Sequence, residues 1–202
     1  MSRLTVLKRI APLMLLLTLP LAANAADEGD FNYNYVEGGF VNIDSGAGNQ
    51  PAGVGNLSGL GVDGSYEVAP NWRLVAGFNT ISCCDFRLTN FNIGVGYHRM
   101  LVQKLGLFVN AGFVSSNGKY TPSGFSASNN DTGVELSGGV RFIPVEKVEV
   151  DGFVSITSGN DFVDSTPSPG VLGMYNFAPQ WSVFASYTAN ADLFYTGVRY
   201  EF

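Results

Sequence analysis

The residue types that most often perform catalysis or bind metals are scarce in this chain. It has one histidine, His98, and two adjacent cysteines, Cys83 and Cys84. General acid–base catalysis needs a base within reach of its nucleophile, and a zinc site needs several Cys, His or carboxylate ligands around one point. One histidine and two neighbouring cysteines supply neither arrangement. The sequence therefore predicts no catalytic residue, no cofactor, no metal site and no enzymatic activity.

A glycine motif also has to be weighed as a possible nucleotide site. Gly59, Gly61 and Gly64 match the spacing of the dinucleotide-binding fingerprint. That fingerprint works only where a strand precedes it and a helix follows, because the helix N-terminus binds the pyrophosphate. Here the glycines lie inside a segment of alternating residues that ends at Ala69-Pro70. The match is therefore rejected, and these glycines are assigned to a strand.

The first 25 residues have the pattern of a secretory signal peptide. Arg3, Lys8 and Arg9 precede an apolar run over 10–22, and Ala23-Asn24-Ala25 follows as a small-x-small cleavage site. A membrane anchor is the alternative, but the run is short and two prolines interrupt it. We expect cleavage after Ala25, which leaves residues 26–202 as a single exported domain.

The composition narrows the class of this exported domain. The chain has 202 residues, of which 46% are hydrophobic, 13% are aromatic and only 14% are charged, and it contains 25 glycines. Soluble domains carry about 25% charged residues and about 7% glycine. The net charge of −6 argues against nucleic acid as a partner. Beyond the signal peptide no apolar run reaches the ~18–20 residues of a spanning helix, which leaves a soluble β protein or a membrane barrel.

Alternation of apolar and polar residues recurs along the rest of the chain. In 57–69, for example, Leu60, Val62 and Tyr66 alternate with glycine, serine and acidic residues. Alternation over about ten residues is typical of the strands of outer-membrane barrels. We predict an all-β, antiparallel, up-and-down transmembrane barrel of ten strands, with eight as the alternative. The predicted strands are 31–43, 57–69, 72–82, 88–99, 105–115, 132–143, 147–158, 169–178, 181–190 and 193–202.

The connections between these segments alternate in length, which predicts the orientation of the barrel. The short links include two near-copies, Pro70-Asn71-Trp72 and Pro179-Gln180-Trp181, whereas longer connections such as 44–56 and 116–131 are rich in Gly, Ser, Asn and Asp. Bacterial barrels place short turns in the periplasm and long loops outside. We therefore expect Trp72 and Trp181 in the aromatic girdle at the inner interface.

The last strand alternates up to the terminal residue. Tyr200 and Phe202 lie on the aromatic face of this segment, opposite Arg199 and Glu201. A carboxyl-terminal Phe on such a strand is similar to the signal that is read by the outer-membrane barrel-assembly machinery. An edge strand of a soluble sandwich is the alternative, but a soluble protein would not usually end on its apolar face. We predict an integral protein of the bacterial outer membrane.

With the strands placed, the chain resembles the small OmpA-like or porin-family outer-membrane barrels. Within that group, the segment 33–39 (YNYVEGG) is similar to the opening of a family of small barrels found in xanthomonads and their relatives, as are Gly94-Val95-Gly96-Tyr97 and the two Pro-x-Trp turns. The resemblance implies a barrel of eight to ten strands and carries no catalytic residue. The adjacent cysteines depart from the pattern of those proteins.

The charged residues that fall on the predicted strands lie mostly at inward-facing positions. Small barrels are commonly filled by their side chains, so one hypothesis is that a network of ion pairs closes the lumen. The other hypothesis is a narrow cation-preferring pore. The predicted lumen charges are Glu37, Asp63, Glu67, Arg73, His98, Glu135, Arg141, Lys147, Glu149, Asp151, Arg199 and Glu201.

The predicted function is a structural or surface-interaction role, with the loops presented outside the cell. A narrow cation-preferring pore for small solutes is the alternative, and an outer-membrane enzyme ranks third. Expected partners are outer-membrane lipid, lipopolysaccharide and the assembly machinery, and the sequence does not identify a ligand of the loops. Cys83 and Cys84 fall in an outer loop, in an oxidising compartment. They could form a strained vicinal disulfide, link to another chain or remain thiols, and we favour the vicinal disulfide.

Overall fold

Ten antiparallel strands form a closed barrel in the computed structural model, which describes residues 31–44, 56–122, 125–159 and 165–202. Each strand pairs with its neighbours in the sequence, and β10 pairs with β1 to close the sheet. Ten strands are therefore confirmed, and the alternative of eight is wrong. The strands are β1 (Tyr35–Ile43), β2 (Leu57–Ala69), β3 (Trp72–Cys83), β4 (Phe86–Val102), β5 (Leu105–Tyr120), β6 (Ala127–Val145), β7 (Val148–Ser158), β8 (Ser168–Ala178), β9 (Trp181–Thr188) and β10 (Leu193–Glu201).

The outer face of the barrel is apolar because one residue in two points away from the lumen. Val62, Phe78 and Phe91 stand in register on adjacent strands, and each has about half of its surface exposed. Exposed aromatic and aliphatic side chains of this kind continue around the sheet and would be unfavourable in water. A closed sheet with an apolar exterior satisfies its backbone hydrogen bonds internally and can therefore lie in hydrocarbon. Among the described residues, no helix is long and apolar enough to cross a membrane.

Short turns and both ends of the described chain lie at one end of the barrel. Asn71, Lys104 and Lys147 adopt positive φ angles of 66°, 67° and 68° in three of these turns. The carbonyl of each accepts a hydrogen bond from the neighbouring hairpin; that of Asn71, for example, accepts from the backbone N–H of His98 at 2.9 Å. We assign this end to the periplasm, because bacterial barrels keep their short turns there.

Several predicted boundaries need correction. The sequence predicts a long loop over 116–131, but β5 extends to Tyr120 and β6 begins at Ala127. These two strands pair along their whole outer length, from Ser116 opposite Asp131 to Tyr120 opposite Ala127. The first strand begins at Tyr35 rather than at residue 31, and Phe31–Asn34 form no strand.

Candidate functional site

The periplasmic half of the lumen contains buried ion pairs between facing strands. On β10 and β1, Arg199 and Glu37 are opposite each other in the sheet, and Nη2 of Arg199 lies 2.6 Å from Oε2 of Glu37. Arg199 is 1% exposed, and its guanidinium group also stacks on the ring of Tyr35 at 3.9 Å. Removing a charge from water is costly unless it is paired. The register of these two strands supplies the partner.

A second group of charges lies on β6 and β7. Arg141 donates from Nη2 to Oδ2 of Asp151 at 2.9 Å, and its Nε lies 3.0 Å from Oε1 of Glu149. Arg141 is 3% exposed, and both carboxylates are buried as well. One guanidinium group therefore holds two carboxylates, as its planar fork of donors permits.

The segment that precedes β1 folds into the lumen between these charges. The ring of Tyr33 is 3% exposed and stacks on His98 of β4, with 3.7 Å between the ring centroids. The guanidinium groups of Arg73 and Arg141 each lie 4.8 Å from the centroid of the Tyr33 ring. Burial raises the pKa of the Tyr33 phenol, and this outweighs the opposite effect of Arg141 and Arg73. Tyr33 is therefore a neutral aromatic plug between two cations.

Polar residues tie this plug to the periplasmic turns. Glu67 accepts a hydrogen bond from the backbone N–H of Asn71 at 3.1 Å, and the same oxygen lies 3.4 Å from Nε2 of His98. Arg73 donates from Nη2 to Oδ1 of Asn110 at 2.9 Å. The single histidine of the chain is thus held among structural neighbours at the periplasmic end of the barrel.

The structure places nearly all of the predicted lumen charges on the inner face of the sheet, and Lys147 is the exception. Lys147 lies fully in the β6–β7 turn with its side chain exposed, so its assignment to the lumen is wrong. The reason is that β7 begins one residue later than predicted, at Val148. The residues that occupy inward positions are Glu37, Asp63, Glu67, Arg73, His98, Glu135, Arg141, Glu149, Asp151, Arg199 and Glu201.

The extracellular half of the lumen is divided between an apolar cluster and a polar cavity. The cluster lies under the β3–β4 turn and was not predicted, because its residues are scattered over four strands. It consists of Val41, Leu57, Ile81, Phe86 and Leu88, with Ile43, Cys83, Leu193 and Tyr195 packed against it. The only sequence signal was the presence of apolar residues at inward positions near the outer ends of strands.

The polar cavity has a volume of about 200 Å³ and extends to Ala191 in the β9–β10 turn. Its walls carry amide, hydroxyl and carboxylate groups, and Gly77 leaves room beside Asp63 and Asn92. The polar residues that line it are Asn79, Asn90, Asn92, Glu135, Ser155, Thr157, Ser168 and Thr188.

The adjacent cysteines lie at the tip of the β3–β4 hairpin. Cys84 has a φ of 58° and is exposed, whereas Cys83 is partly buried against the apolar cluster. Their sulfur atoms are 2.7 Å apart, and both cysteines are reduced thiols in the structure. The vicinal disulfide therefore stays a prediction, to be tested by its chemistry.

Aromatic side chains ring the periplasmic end of the outer face. Trp72 and Tyr97 pack edge-to-face at 5.1 Å, and Trp181 and Tyr200 lie 4.9 Å apart on neighbouring strands. Phe202 is 54% exposed and stacks on Tyr200 at 6.3 Å. Aromatic rings at this depth fit the boundary between hydrocarbon and headgroups.

The family model described as "Outer membrane protein beta-barrel domain" matches residues 13–152 of this sequence. The chain belongs to this family. It is an integral outer-membrane β-barrel protein, as the closed ten-stranded sheet with its apolar exterior also requires. We found no match to the chain among curated proteins.

Solved structures of small barrels are similar to this family member at low sequence identity. Ail, the attachment invasion locus protein of Yersinia pestis, is 14% identical over 85% of this chain and 100% of that chain, with a TM-score of 0.46. The N-terminal β-barrel domain of Pseudomonas aeruginosa OprF is 14% identical over 85% and 100%, with a TM-score of 0.47. Neisserial surface protein A is 13% identical over 83% and 96%, with a TM-score of 0.47.

Proposed function

We propose that this barrel is a structural outer-membrane protein with a closed lumen, which presents its outer loops and the β5–β6 hairpin for surface interactions. The observation that carries the proposal is the buried set of charges in the periplasmic half of the lumen. Arg199 pairs with Glu37, Arg141 pairs with Asp151 and Glu149, and Tyr33 fills the space between Arg73 and Arg141. These paired side chains are only a few per cent exposed, so little space remains between them for water to pass through the lumen.

The β5–β6 hairpin supports the surface role. β6 has 19 residues, whereas a tilted membrane strand needs about 9–11. The outer part of β6 consists of exposed polar residues over 128–130, and Asn130 accepts a hydrogen bond from Asn117 across the hairpin. A paired, polar hairpin that extends beyond the membrane is suited to contact with molecules outside the cell. The proposed role is not catalytic.

A narrow cation-preferring pore is the competing function, and conductance distinguishes the two. Refolded wild-type protein in planar bilayers should give no regular conductance steps. The double variant Arg199→Ala, Glu37→Ala removes both members of one ion pair and shows whether that pair is needed to keep the lumen closed. Heat-modifiable migration on a denaturing gel verifies that each variant is folded. Regular steps in the wild-type protein would show that the lumen conducts, and the closed-lumen proposal would then fail.

The proposal also includes features that the sequence alone predicts. We place signal cleavage after Ala25, with 26–202 as the mature domain, and recognition of Tyr200 and Phe202 by the barrel-assembly machinery. Lipopolysaccharide is the proposed outer-leaflet neighbour, and the small barrels of xanthomonads are the proposed subfamily. N-terminal sequencing of the purified protein tests the cleavage site; a start other than Ala26 would refute it. Residues 1–30 lie outside the described residues.

A further inference from the structure

The polar cavity at the extracellular end of the lumen contains a carboxylate that forms no ion pair with the described residues. Glu135 lies on β6, and its cross-strand neighbours are Gly112 on β5 and Thr157 on β7. In the described part of the chain, no Lys, Arg or His side chain forms an ion pair with Glu135. Glu37, Glu149 and Asp151 each face an arginine, whereas Asp63 and Glu201 resemble Glu135 in forming no ion pair with the described residues.

The other walls of the cavity offer neutral acceptors. Asn90 donates from its amide nitrogen to Oδ1 of Asn79 at 3.1 Å, which directs its own oxygen away from that bond. That oxygen, Oδ1 of Asn90, is buried and has no hydrogen-bond donor within the described structure. Ser155, Thr157 and Thr188 add hydroxyl groups to the same walls. A buried acceptor without a donor is unfavourable, so a ligand that donates hydrogen bonds would be stabilised here.

The size and composition of the cavity discriminate between kinds of cation. A calcium ion takes six to eight oxygen ligands, usually with several carboxylates. The described residues contain no group of three or more His, Cys, Asp or Glu side chains that could hold a metal ion. A volume of about 200 Å³ is also larger than a bare ion requires, since a water molecule occupies about 30 Å³ of liquid. An ammonium group, with three N–H donors and one positive charge, fits one carboxylate among amide and hydroxyl acceptors.

We propose that this cavity is a binding site for a small organic cation that carries a primary ammonium group. The ammonium pairs with Glu135, and the rest of the ligand lies against the amide and hydroxyl groups of the other walls. The ligand enters from the extracellular end, where the cavity reaches Ala191. The site goes beyond the proposed structural function and does not depend on whether the lumen conducts.

The test uses putrescine as the cationic probe and 1,4-butanediol, of similar size and no charge, as the matched neutral probe. The full-length mature chain is refolded into a zwitterionic detergent, which excludes binding to anionic lipid, and titrated by isothermal calorimetry. We expect saturable binding of putrescine at one site and no binding of the diol. Chemical shifts of the Asn79, Asn90 and Asn92 side-chain amides should move during the putrescine titration.

Two charge-neutralising variants locate the interaction. Glu135→Gln keeps the shape of the cavity and should weaken putrescine binding at least about tenfold, since it removes the charge that faces the ammonium. Asp85→Asn removes one charge from the exposed β3–β4 turn, outside the cavity, and should leave the affinity unchanged. Both variants must show the heat-modifiable migration of the wild type. The proposal is overturned if the wild type does not bind putrescine saturably, if Glu135→Gln binds as well as the wild type, if Asp85→Asn weakens binding equally, or if the diol binds equally.

The outcome is separable from that of the conductance experiment. A conducting wild-type barrel would refute the closed lumen, whereas the calorimetric comparison of Glu135→Gln with Asp85→Asn would still report on the cavity. Conversely, a silent barrel that binds no putrescine would retain the structural function and lose the binding site.

Discussion

Tyr33 stacks on His98 at a centroid distance of 3.7 Å, although Tyr33 precedes the first strand and His98 lies near the inner end of the fourth. The contact fixes the chain before β1 inside the barrel. It also places the Tyr33 ring against two arginines that belong to different hairpins. The Tyr33 ring thus fills the lumen near its periplasmic end.

Removal of the Tyr33 ring should destabilise the barrel. We expect Tyr33→Ala to lower the free energy of unfolding by about 3 kcal/mol, because it leaves a cavity and removes the cation–π contacts of Arg73 and Arg141. Tyr33→Phe is the matched control, since the Tyr33 hydroxyl is buried without a hydrogen-bond partner in the described structure. It should change stability by less than about 1 kcal/mol. Urea titrations in detergent micelles measure both values, and equal losses for Ala and Phe would contradict the packing role of the ring.

The buried pair of Arg199 and Glu37 should behave as a unit. Arg199→Met leaves the Glu37 carboxylate buried without its partner and should cost about 3–5 kcal/mol. The double variant Arg199→Met, Glu37→Leu replaces both charges by apolar groups and should recover most of that loss. A double-mutant cycle of unfolding free energies gives the coupling between the two residues. Additive single effects would show that the 2.6 Å contact contributes no coupling.

Two facing glycines bring β1 and β10 together where the barrel closes. A Cβ on Gly197 would meet the backbone of β1 and lie 2.7 Å from Cα of Gly39, its partner in the register. Gly197→Ala should therefore destabilise the barrel by about 1–3 kcal/mol or prevent closure. Gly173→Ala provides the comparison, because no atom of the described residues lies within 4 Å of its Cβ position. The heat-modified fraction and the urea midpoint of both variants test this, and equal effects at the two positions would refute the steric explanation.

The predicted vicinal disulfide between Cys83 and Cys84 makes a chemical prediction. Protein purified from the outer membrane should resist alkylation without reductant and should gain two alkyl groups after reduction, as measured by intact mass. The measured mass should correspond to a single chain before reduction. Two alkylated thiols without reductant would eliminate the disulfide, and a mass of two linked chains would favour the intermolecular bond.

The strands could be predicted because each face of the sheet has a fixed environment, with lipid outside the barrel and the lumen inside. A residue such as Phe78 or Phe91 must face lipid, and its neighbours along the strand must face the lumen. Apolar residues therefore recur at every second position of the sequence. The alternation weakens where both faces are polar. The outer parts of β5 and β6 rise beyond the hydrocarbon and were therefore predicted as a loop.

The sequence by itself determined the class of the protein: an exported, charge-poor, alternating chain becomes a ten-stranded barrel, and the charges on its strands lie mostly inside. It also placed Glu37, Arg141 and Arg199 on the inner face, since the parity of a strand is a local property. Only the tertiary structure decided that Arg199 meets Glu37 while Glu135 meets no cation of the described residues, because such contacts depend on the register and closure of distant strands. The tertiary structure also decided that Tyr33 lies inside the barrel and that a polar cavity forms. Both features arise from the packing of side chains that lie far apart in the chain.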